Sequence, residues 1–417
     1  MNKETISDRI NKFSKFLPRL VEKEIPEDRK LSAQDNLHLA WAEIDLKAVL
    51  YNYRQIKQLS ARKIFPSTFK GRKKGIHILA VVKADAYGHG MRQVAGALQD
   101  LDVSFFGVSD VREGIALREQ GIRQPVLLLE NILPQFTPQV VDYDLTPTVC
   151  TLSLATALDR YARAVRKTVD IHIKIDTGMS RLGVGYAEAI RFIRRVSRFS
   201  RLSVKGLYTH FPIADTNPDF TRRQAQQIFD LLENLGKDAE TIEYIHAANS
   251  MGLAGYETQI FNLARPGLML YGLYPHPRLK EEIHLRPAMQ VKARVIFLKK
   301  IKKGQGVSYG HTFIAKNDMM IATLPIGYSD GYLRCLSNKS AVLIAGQPCP
   351  VIGRVTMDQI IVDVSHLKSV RLGTEVVILG SQGGNLISAD DLARQADTIS
   401  YEILCHLGSR LPRMYRR

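Results

Sequence analysis

Lys83 closes the apolar run in "AVVKADAYGHG", and a loop of small residues carrying Tyr87 and His89 follows it at once. A lysine at the end of a buried strand costs free energy unless it is paired or used chemically. Its amine can condense with a carbonyl to form a Schiff base; a lysine snorkelling to solvent fits the spacing equally well. Further apolar runs end in polar groups of the same kind. "HIKIDTGMSRLG" carries Lys174, Asp176 and Arg181; "GLYTHF" carries His210; "IHAANS" carries Asn249 and Ser250. "ARPGLMLYG" sets Arg265 beside a Pro266-Gly267 bend whose backbone N–H groups suit an anion. Singly, His210 reads as a core histidine, Arg181 as a salt-bridge arginine and Pro266-Gly267 as a turn.

The elements between these groups decide whether they meet. From about Ala40 to Arg286, apolar runs alternate with amphipathic segments. The candidate strands are "WAEID", "IHILAVV", "SFFGVS", "PVLLLE", "LTPTVC", "DIHIKID", "SVKGLYTH", "YIHAAN" and "LMLYGL". Helical patterns such as "LKAVLYNYRQIKQL", "VREGIALREQ", "LSLATALDRYARAV" and "TRRQAQQIFDLLENLG" lie between several of them. Continuous apolar strands followed by helices indicate a parallel sheet covered on its outer face. About eight such units over ~250 residues match a (β/α)8 barrel, a TIM-type fold. No GxGxxG follows the first strands, which argues against an open dinucleotide-binding sheet. In a barrel all the polar strand ends share one mouth, and a lysine, two arginines, a histidine and phosphate-type donors gathered there suit a phosphorylated carbonyl cofactor, pyridoxal 5′-phosphate.

After "LRPA" the rhythm changes to β-rich runs such as "MQVKARVIFLKKI", "MMIATLPIG", "QIIVDV" and "TEVVILG", with one clear helix at "SADDLARQA". The expected organisation is an N-terminal extension over 1–40, a barrel over 41–286 and a mostly-β domain over 287–417. Lys3 to Leu20 reads as an amphipathic helix or a partly ordered tail, and "KEIPEDRKLSAQDN" as a polar linker.

Composition narrows the class. The chain has 417 residues, 45% of them hydrophobic, and no apolar run approaches the ~20 residues of a membrane span. The N-terminus lacks an apolar signal core, so a cytoplasmic location and no membrane partner are expected. Four scattered cysteines without ligand spacing read as free thiols, with neither disulfide nor metal site expected. The net charge of +17 is concentrated in Arg62 to Gly75 and Arg191 to Lys205. Phe192, Ile193 and Val196 have helical spacing, which makes the arginines around them a wet face. No helix-turn-helix, RNP or zinc-finger pattern accompanies the charge, so no nucleic-acid partner is expected.

The motifs "AVVKADAYGHG", "KIDTGMSRLG", "YTHF", "HAANS", "RPGLMLYG", "GVSYGHT", "IGYSDGY", "GRVTMDQ" and "TISYE" resemble, in order and wording, those of bacterial alanine racemases, from Trp41 to the C-terminus. The resemblance implies a homodimer with shared active sites that interconverts L- and D-alanine for peptidoglycan. Lys83 would carry pyridoxal phosphate covalently and act as the base on one face of the substrate Cα. Tyr309, from the partner subunit, would be the acid/base on the other. Arg265 would donate to the cofactor's ring nitrogen, and Arg181 would sit near its phenolic oxygen and the substrate carboxylate. Lys174 matches a lysine that many members carry carbamylated to hold that arginine, and His210 a residue packed near the ring. The phosphate cradle would be Tyr87, Ser250, the Gly267 and Leu268 backbone and Tyr401, with Asn249 beside it. Met357 and Asp358 would meet the substrate carboxylate from the partner, and Tyr328 and Tyr401 would narrow the entrance. Thr356 stands where a cysteine is frequent, and the "ARKIFPSTFKGRKKG" stretch and N-terminal tail are extra. A serine or broad-specificity racemase on the same scaffold, and a non-catalytic pyridoxal-phosphate-binding protein, are the alternatives. The bulk of Tyr401 favours a small side chain, and Tyr309 and Asp358 would have little use in a carrier.

Overall fold

The computed structural model describes residues 38–62, 75–256, 260–408 and 410–416. The Lys3 to Leu20 segment, read as an amphipathic helix or a partly ordered tail, the polar linker and most of the basic Arg62 to Gly75 stretch lie outside them. Eight parallel strands form a nearly closed barrel: β2 (His77–Val81), β3 (Phe105–Val108), β4 (Val126–Asn131), β5 (Thr146–Val149), β6 (Val169–Asp176), β7 (Leu202–Tyr208), β8 (Tyr244–His246) and β9 (Leu263–Ala264). They pair in chain order, with β9 returning to β2 through Leu263 opposite His77. The seam between β8 and β9 is held by Asn262 N–H to the Ile245 carbonyl (3.0 Å) and Arg265 N–H to the Ala248 carbonyl (2.8 Å).

Outer helices cover the barrel where the sequence supplies an apolar stripe and a start signal. α1 (Leu46–Arg62) buries Val49, Tyr53 and Ile56 one turn apart. Helices α2 (Met91–Leu98), α3 (Val111–Glu119), α4 (Thr137–Asp142) and α5 (Leu152–Ala164) follow the next strands. α6 (Ala189–Val196) buries Ile193 and Val196 and turns its arginines to solvent, as the spacing implies. α7 (Pro218–Leu235) starts at Asn217, whose side chain accepts from Phe220 N–H at 3.0 Å, with Pro218 in the first helical position. The short α8 (Ser250–Gly255) follows β8.

Two expected barrel strands are corrected. "WAEID" forms β1 (Ala40–Asp45), which pairs antiparallel with β10 (Met289–Arg294) of the C-terminal region and parallel with the last strand, Arg413–Arg416. Its reason is polar: Glu43 is buried and needs Lys292 of β10, which lies 3.2 Å away and also 3.1 Å from Glu375. "LMLYGL" is a 3-10 turn, Leu268–Tyr271, and the preceding Leu263–Ala264 closes the barrel instead. Pro266 and Gly267 stop extension there.

The remaining C-terminal strands of three or more residues are β11 (Phe297–Ile301), β12 (Met319–Leu324), β13 (Ala341–Ile344), β14 (Gln347–Pro350), β15 (Ile360–Asp363), β16 (Glu375–Gln382), β17 (Asn385–Ile387) and β18 (Arg413–Arg416), and a short hairpin pairs Gly306–Val307 with Phe313–Ile314. One sheet runs β14-β13-β16-β10-β1-β18, with β17 on β16, and a second runs β11-β12-β15. Helices α9 (Ala389–Ala396) and α10 (Ser400–His406) lie between β17 and β18. The main core carries barrel residues such as Ile78 together with Val291 and Val376 of the sheet, and the described residues from Ala40 onward form one compact unit; a smaller cluster of Ile301, Val307, Ala315, Ile321 and Ile352 lies apart in the C-terminal region.

Candidate active site

The C-terminal ends of the barrel strands open into a cavity of about 700 Å³. It is lined by Lys83, Tyr87, Lys174, Arg181, His210, Asn249, Ser250, Arg265, Gly267, Leu268 and Tyr401, together with Glu130, Tyr208 and Cys405. Four cationic side chains face one carboxylate across this space, which favours an anionic ligand.

Lys83 leaves β2 into an unusual turn: Ala84, Asp85, Ala86 and Tyr87 all have φ between 51° and 55°. Left-handed backbone costs roughly 1–2 kcal/mol per non-glycine residue. The turn is tied down by Gly88 N–H to the Ala84 carbonyl (3.1 Å) and Gly90 N–H to the Asp85 carbonyl (2.9 Å). His89 adds Nδ1–H, donated to the Ala86 and Tyr87 carbonyls at 3.0 Å each. This turn carries Tyr87 back over the cavity, its ring 5.0 Å from Tyr271 and 5.8 Å from Tyr401. Burial, reinforced by Tyr401, pushes the Tyr87 hydroxyl well above the usual phenol range, so it stays a neutral donor. A Cβ on Gly267 would lie 2.4 Å from that hydroxyl, so only glycine lets backbone and phenol meet at the floor of the site. Gly267 N–H donates to Ser250 Oγ at 3.2 Å.

Arg265 is enclosed and largely committed. Its Nη1 donates to His246 Nδ1 (2.7 Å), and its Nη2 donates to the Thr209 (2.9 Å) and Ala247 (3.1 Å) carbonyls and to His210 Nδ1 (3.2 Å). A guanidinium only donates, so both histidines must accept through Nδ1. His246 Nε2–H then donates to His172 Nδ1 at 2.8 Å. Burial pushes Arg265 down to about 10, which leaves it protonated at neutral pH. Burial, then Arg265 and Lys174, pushes His210 down to about 2, so it is a neutral acceptor. Lys174 falls to about 8, through burial first and then Arg265 and Arg181.

The residues fit pyridoxal phosphate. An amine for its carbonyl stands at the mouth, Tyr87 and Ser250 offer hydroxyls beside a glycine floor, and no described residue accepts from the Arg265 Nε–H, which leaves a donor for a ring nitrogen. Tyr309, Tyr328, Met357 and Asp358 do not line this cavity. Tyr309 and Met357 are 73% and 54% exposed on the C-terminal region. Tyr328 and Asp358 share one corner there: Tyr328 N–H donates to the Thr356 carbonyl (3.0 Å), and Ser329 Oγ to Asp358 (3.2 Å).

Sequence reasoning missed Tyr208, His172 and His246, which underlie the site. The signal was the strand period: Tyr208 stands two residues before His210, and His172 two before Lys174, so each pair shares one face. Cys405 and Glu130 carried no such signal.

Two family models match: alanine racemase, N-terminal domain, over residues 44–275, and alanine racemase, C-terminal domain, over 288–415. The alanine racemase of Halothermothrix orenii is 40% identical over 377 residues, covering 90% of this chain and 96% of that one. That of Symbiobacterium thermophilum is also 40% identical, over 383 residues, covering 91% and 98%. Among solved structures, alanine racemase from Clostridium difficile superposes with a TM-score of 0.83 at 32% identity, covering 91% of this chain and 96% of that one. Alanine racemase from Bacillus anthracis with bound L-Ala-P superposes with a TM-score of 0.81, also at 32% identity, covering 91% and 95%. With a barrel over the span of the first model and a sheet domain over that of the second, and these matches along nine-tenths of its length, the chain belongs to the alanine racemase family.

Proposed function

We propose that this enzyme interconverts L- and D-alanine in the cytoplasm, supplying D-alanine for peptidoglycan, with pyridoxal phosphate held covalently at Lys83 and two sites shared across a homodimer. The observation that carries this reading is the co-location of Lys83, Arg265, Tyr87 and Ser250 in one cavity. When bound, pyridoxal phosphate supplies the electron sink that acidifies the substrate Cα. Lys83 removes or returns the Cα proton on one face. Inversion needs a second group on the other face, and Tyr309 of the partner subunit fills that role. The exposure of Tyr309 and its absence from its own chain's cavity support this assignment. Arg265, protonated and tied to carbonyls and histidines, donates to the ring nitrogen without surrendering a proton, which favours return of the proton to Cα. Arg181 and, from the partner, Met357 and Asp358 orient the substrate carboxylate; Tyr87, Ser250, Gly267, Leu268 and Tyr401 hold the phosphate, with Asn249 capping α8 beneath it through Gly252 N–H at 2.9 Å. His210 packs beside the ring, and Tyr401 and Tyr328 narrow the entrance.

The test is incubation of the loaded enzyme with L-alanine, and separately L-serine, in D₂O. D-alanine carrying Cα deuterium, formed faster than D-serine, is the expected result. Exchange without inversion would remove Tyr309 from its role, and no exchange would leave a cofactor carrier.

A further inference from the structure

We infer that Glu113 is a positioning residue for the lysine turn: its carboxylate joins the ends of β2 and β3 and holds the left-handed Ala84–Tyr87 segment where Lys83 and Tyr87 face the cavity.

The inference starts from the sequence "SDVREG" at the head of α3. Asp110 is the helix cap, its Oδ1 accepting from Glu113 N–H at 3.1 Å. In a reciprocal capping box the glutamate side chain would return to the cap residue's own N–H. Glu113 does something else. Its Oε2 accepts from Ser109 N–H at 2.7 Å, and its Oε1 crosses to Ala84 N–H, also at 2.7 Å. A residue whose usual task is local thus binds the first amide of a turn 29 positions earlier.

Within the turn, the N–H groups of Ala86, Gly88, His89 and Gly90 all find backbone carbonyls. Ala84 N–H instead depends on the Glu113 carboxylate, and a charged acceptor makes a stronger bond than a neutral one. The turn is the most strained stretch beside the cavity, with four successive left-handed non-glycine residues. The strands it follows are adjacent, Val81 opposite Gly107, and Val82 N–H reaches the Gly107 carbonyl at 2.9 Å. Glu113 extends that pairing one step past the strand ends, so the position of the Lys83 backbone is set by β3 as well as by β2.

This deepens the proposed function and rests on Lys83 being the cofactor lysine. The test compares Glu113→Gln, Ala84→Gly and the double variant, as full-length proteins, by amide hydrogen–deuterium exchange and by titration with pyridoxal phosphate read as visible absorbance. Glu113→Gln should speed exchange over residues 82–90 by roughly tenfold and weaken cofactor binding by a similar factor, the effect of one charge-assisted bond. Exchange over 110–119 should move less. Ala84→Gly removes the left-handed penalty at one position, so the double variant should recover part of the lost affinity. Unchanged exchange over 82–90, or faster exchange with unchanged affinity, would overturn the inference. So would equal opening of 110–119 with no recovery by Ala84→Gly, which is the behaviour of a helix cap alone. If instead Lys83 is not the cofactor lysine, Lys83→Ala keeps the visible band while the exchange response to Glu113→Gln persists, so the two failures read differently.

Discussion

Arg265 and His246 meet inside the barrel at 2.7 Å, Nη1 to Nδ1, with both side chains enclosed. Because the guanidinium has no acceptor, this contact dictates the tautomer of His246, and through it that of His172. Arg265→Lys keeps the charge but supplies one ammonium where a planar fork served four acceptors. Each buried acceptor left bare costs about 1–3 kcal/mol. The expected outcome is a lower melting temperature together with weaker pyridoxal phosphate binding, both read in one thermal and spectroscopic titration.

Lys83→Ala should abolish the visible absorbance of the lysine-bound cofactor while leaving the fold intact, because the Lys83 side chain forms no hydrogen bond or ion pair with any described residue. Far-ultraviolet circular dichroism and the visible spectrum check the two halves of that statement.

Tyr309→Phe should depress racemisation by ~10²–10⁴-fold, the range for a lost general acid or base, with the visible band retained. Mixing it with Lys83→Ala protomers tests the shared site. With random exchange, half the dimers are hybrids and half the sites in each are whole, so about a quarter of wild-type activity should return in a symmetric dimer. No return after demonstrated subunit exchange would refute the shared arrangement.

Lys174 contributes a pH dependence whose sign its burial sets. Its folded pKa of about 8 lies below the unfolded 10.5, so between these values the unfolded chain binds the extra proton. The Lys174 contribution to stability therefore rises with pH across that window, and the burden of the buried charge is present in full below it; above about pH 9 the Cys150 and Cys349 thiols, pushed up to about 11 by burial, contribute with the opposite sign. Lys174→Met should lower the slope of stability against pH in urea unfolding of the cofactor-free protein between pH 8 and 10. A slope unchanged by the substitution would show that Lys174 is not its source.

Lys292→Met should destabilise by ~1–3 kcal/mol, because it removes the buried partner of Glu43 and leaves that carboxylate to the half-exposed Arg416 and the Trp41 N–H. Burial alone would raise the Glu43 pKa; Lys292, Trp41 and Arg416 outweigh it and hold the carboxyl below its ordinary value. Adding Glu43→Gln to Lys292→Met should recover much of the loss, a comparison made by denaturant titration.

The barrel was legible because β2 to β8 are apolar runs bounded by turn residues, and the site because its polar groups stand at their ends. β1 was not, since "WAEID" has the same pattern as a barrel strand, and the distant Lys292 and Arg416, which both meet Glu43, distinguish where it belongs. "LMLYGL" failed for a local reason: the Gly267 bend commits the following residues to a 3-10 turn that covers the floor of the mouth. The left-handed turn after Lys83 was hidden because alanine and tyrosine do not advertise positive φ; the contacts that hold it come from Glu113, His89 and the turn's own carbonyls.

The placement of β1 beside β18 ties the described chain's first strand to its last, Ala42 opposite Arg413. During synthesis the barrel strands leave the ribosome with their neighbours in order, and each can pair as it arrives. β1 must wait through 245 residues, from Ile44 to Met289, for β10, and through 371, from Ala42 to Arg413, for β18. Vectorial synthesis thus separates an early barrel from a late clasp, and a truncation anywhere before β18 leaves an unpaired strand edge at the opposite terminus of the same polypeptide.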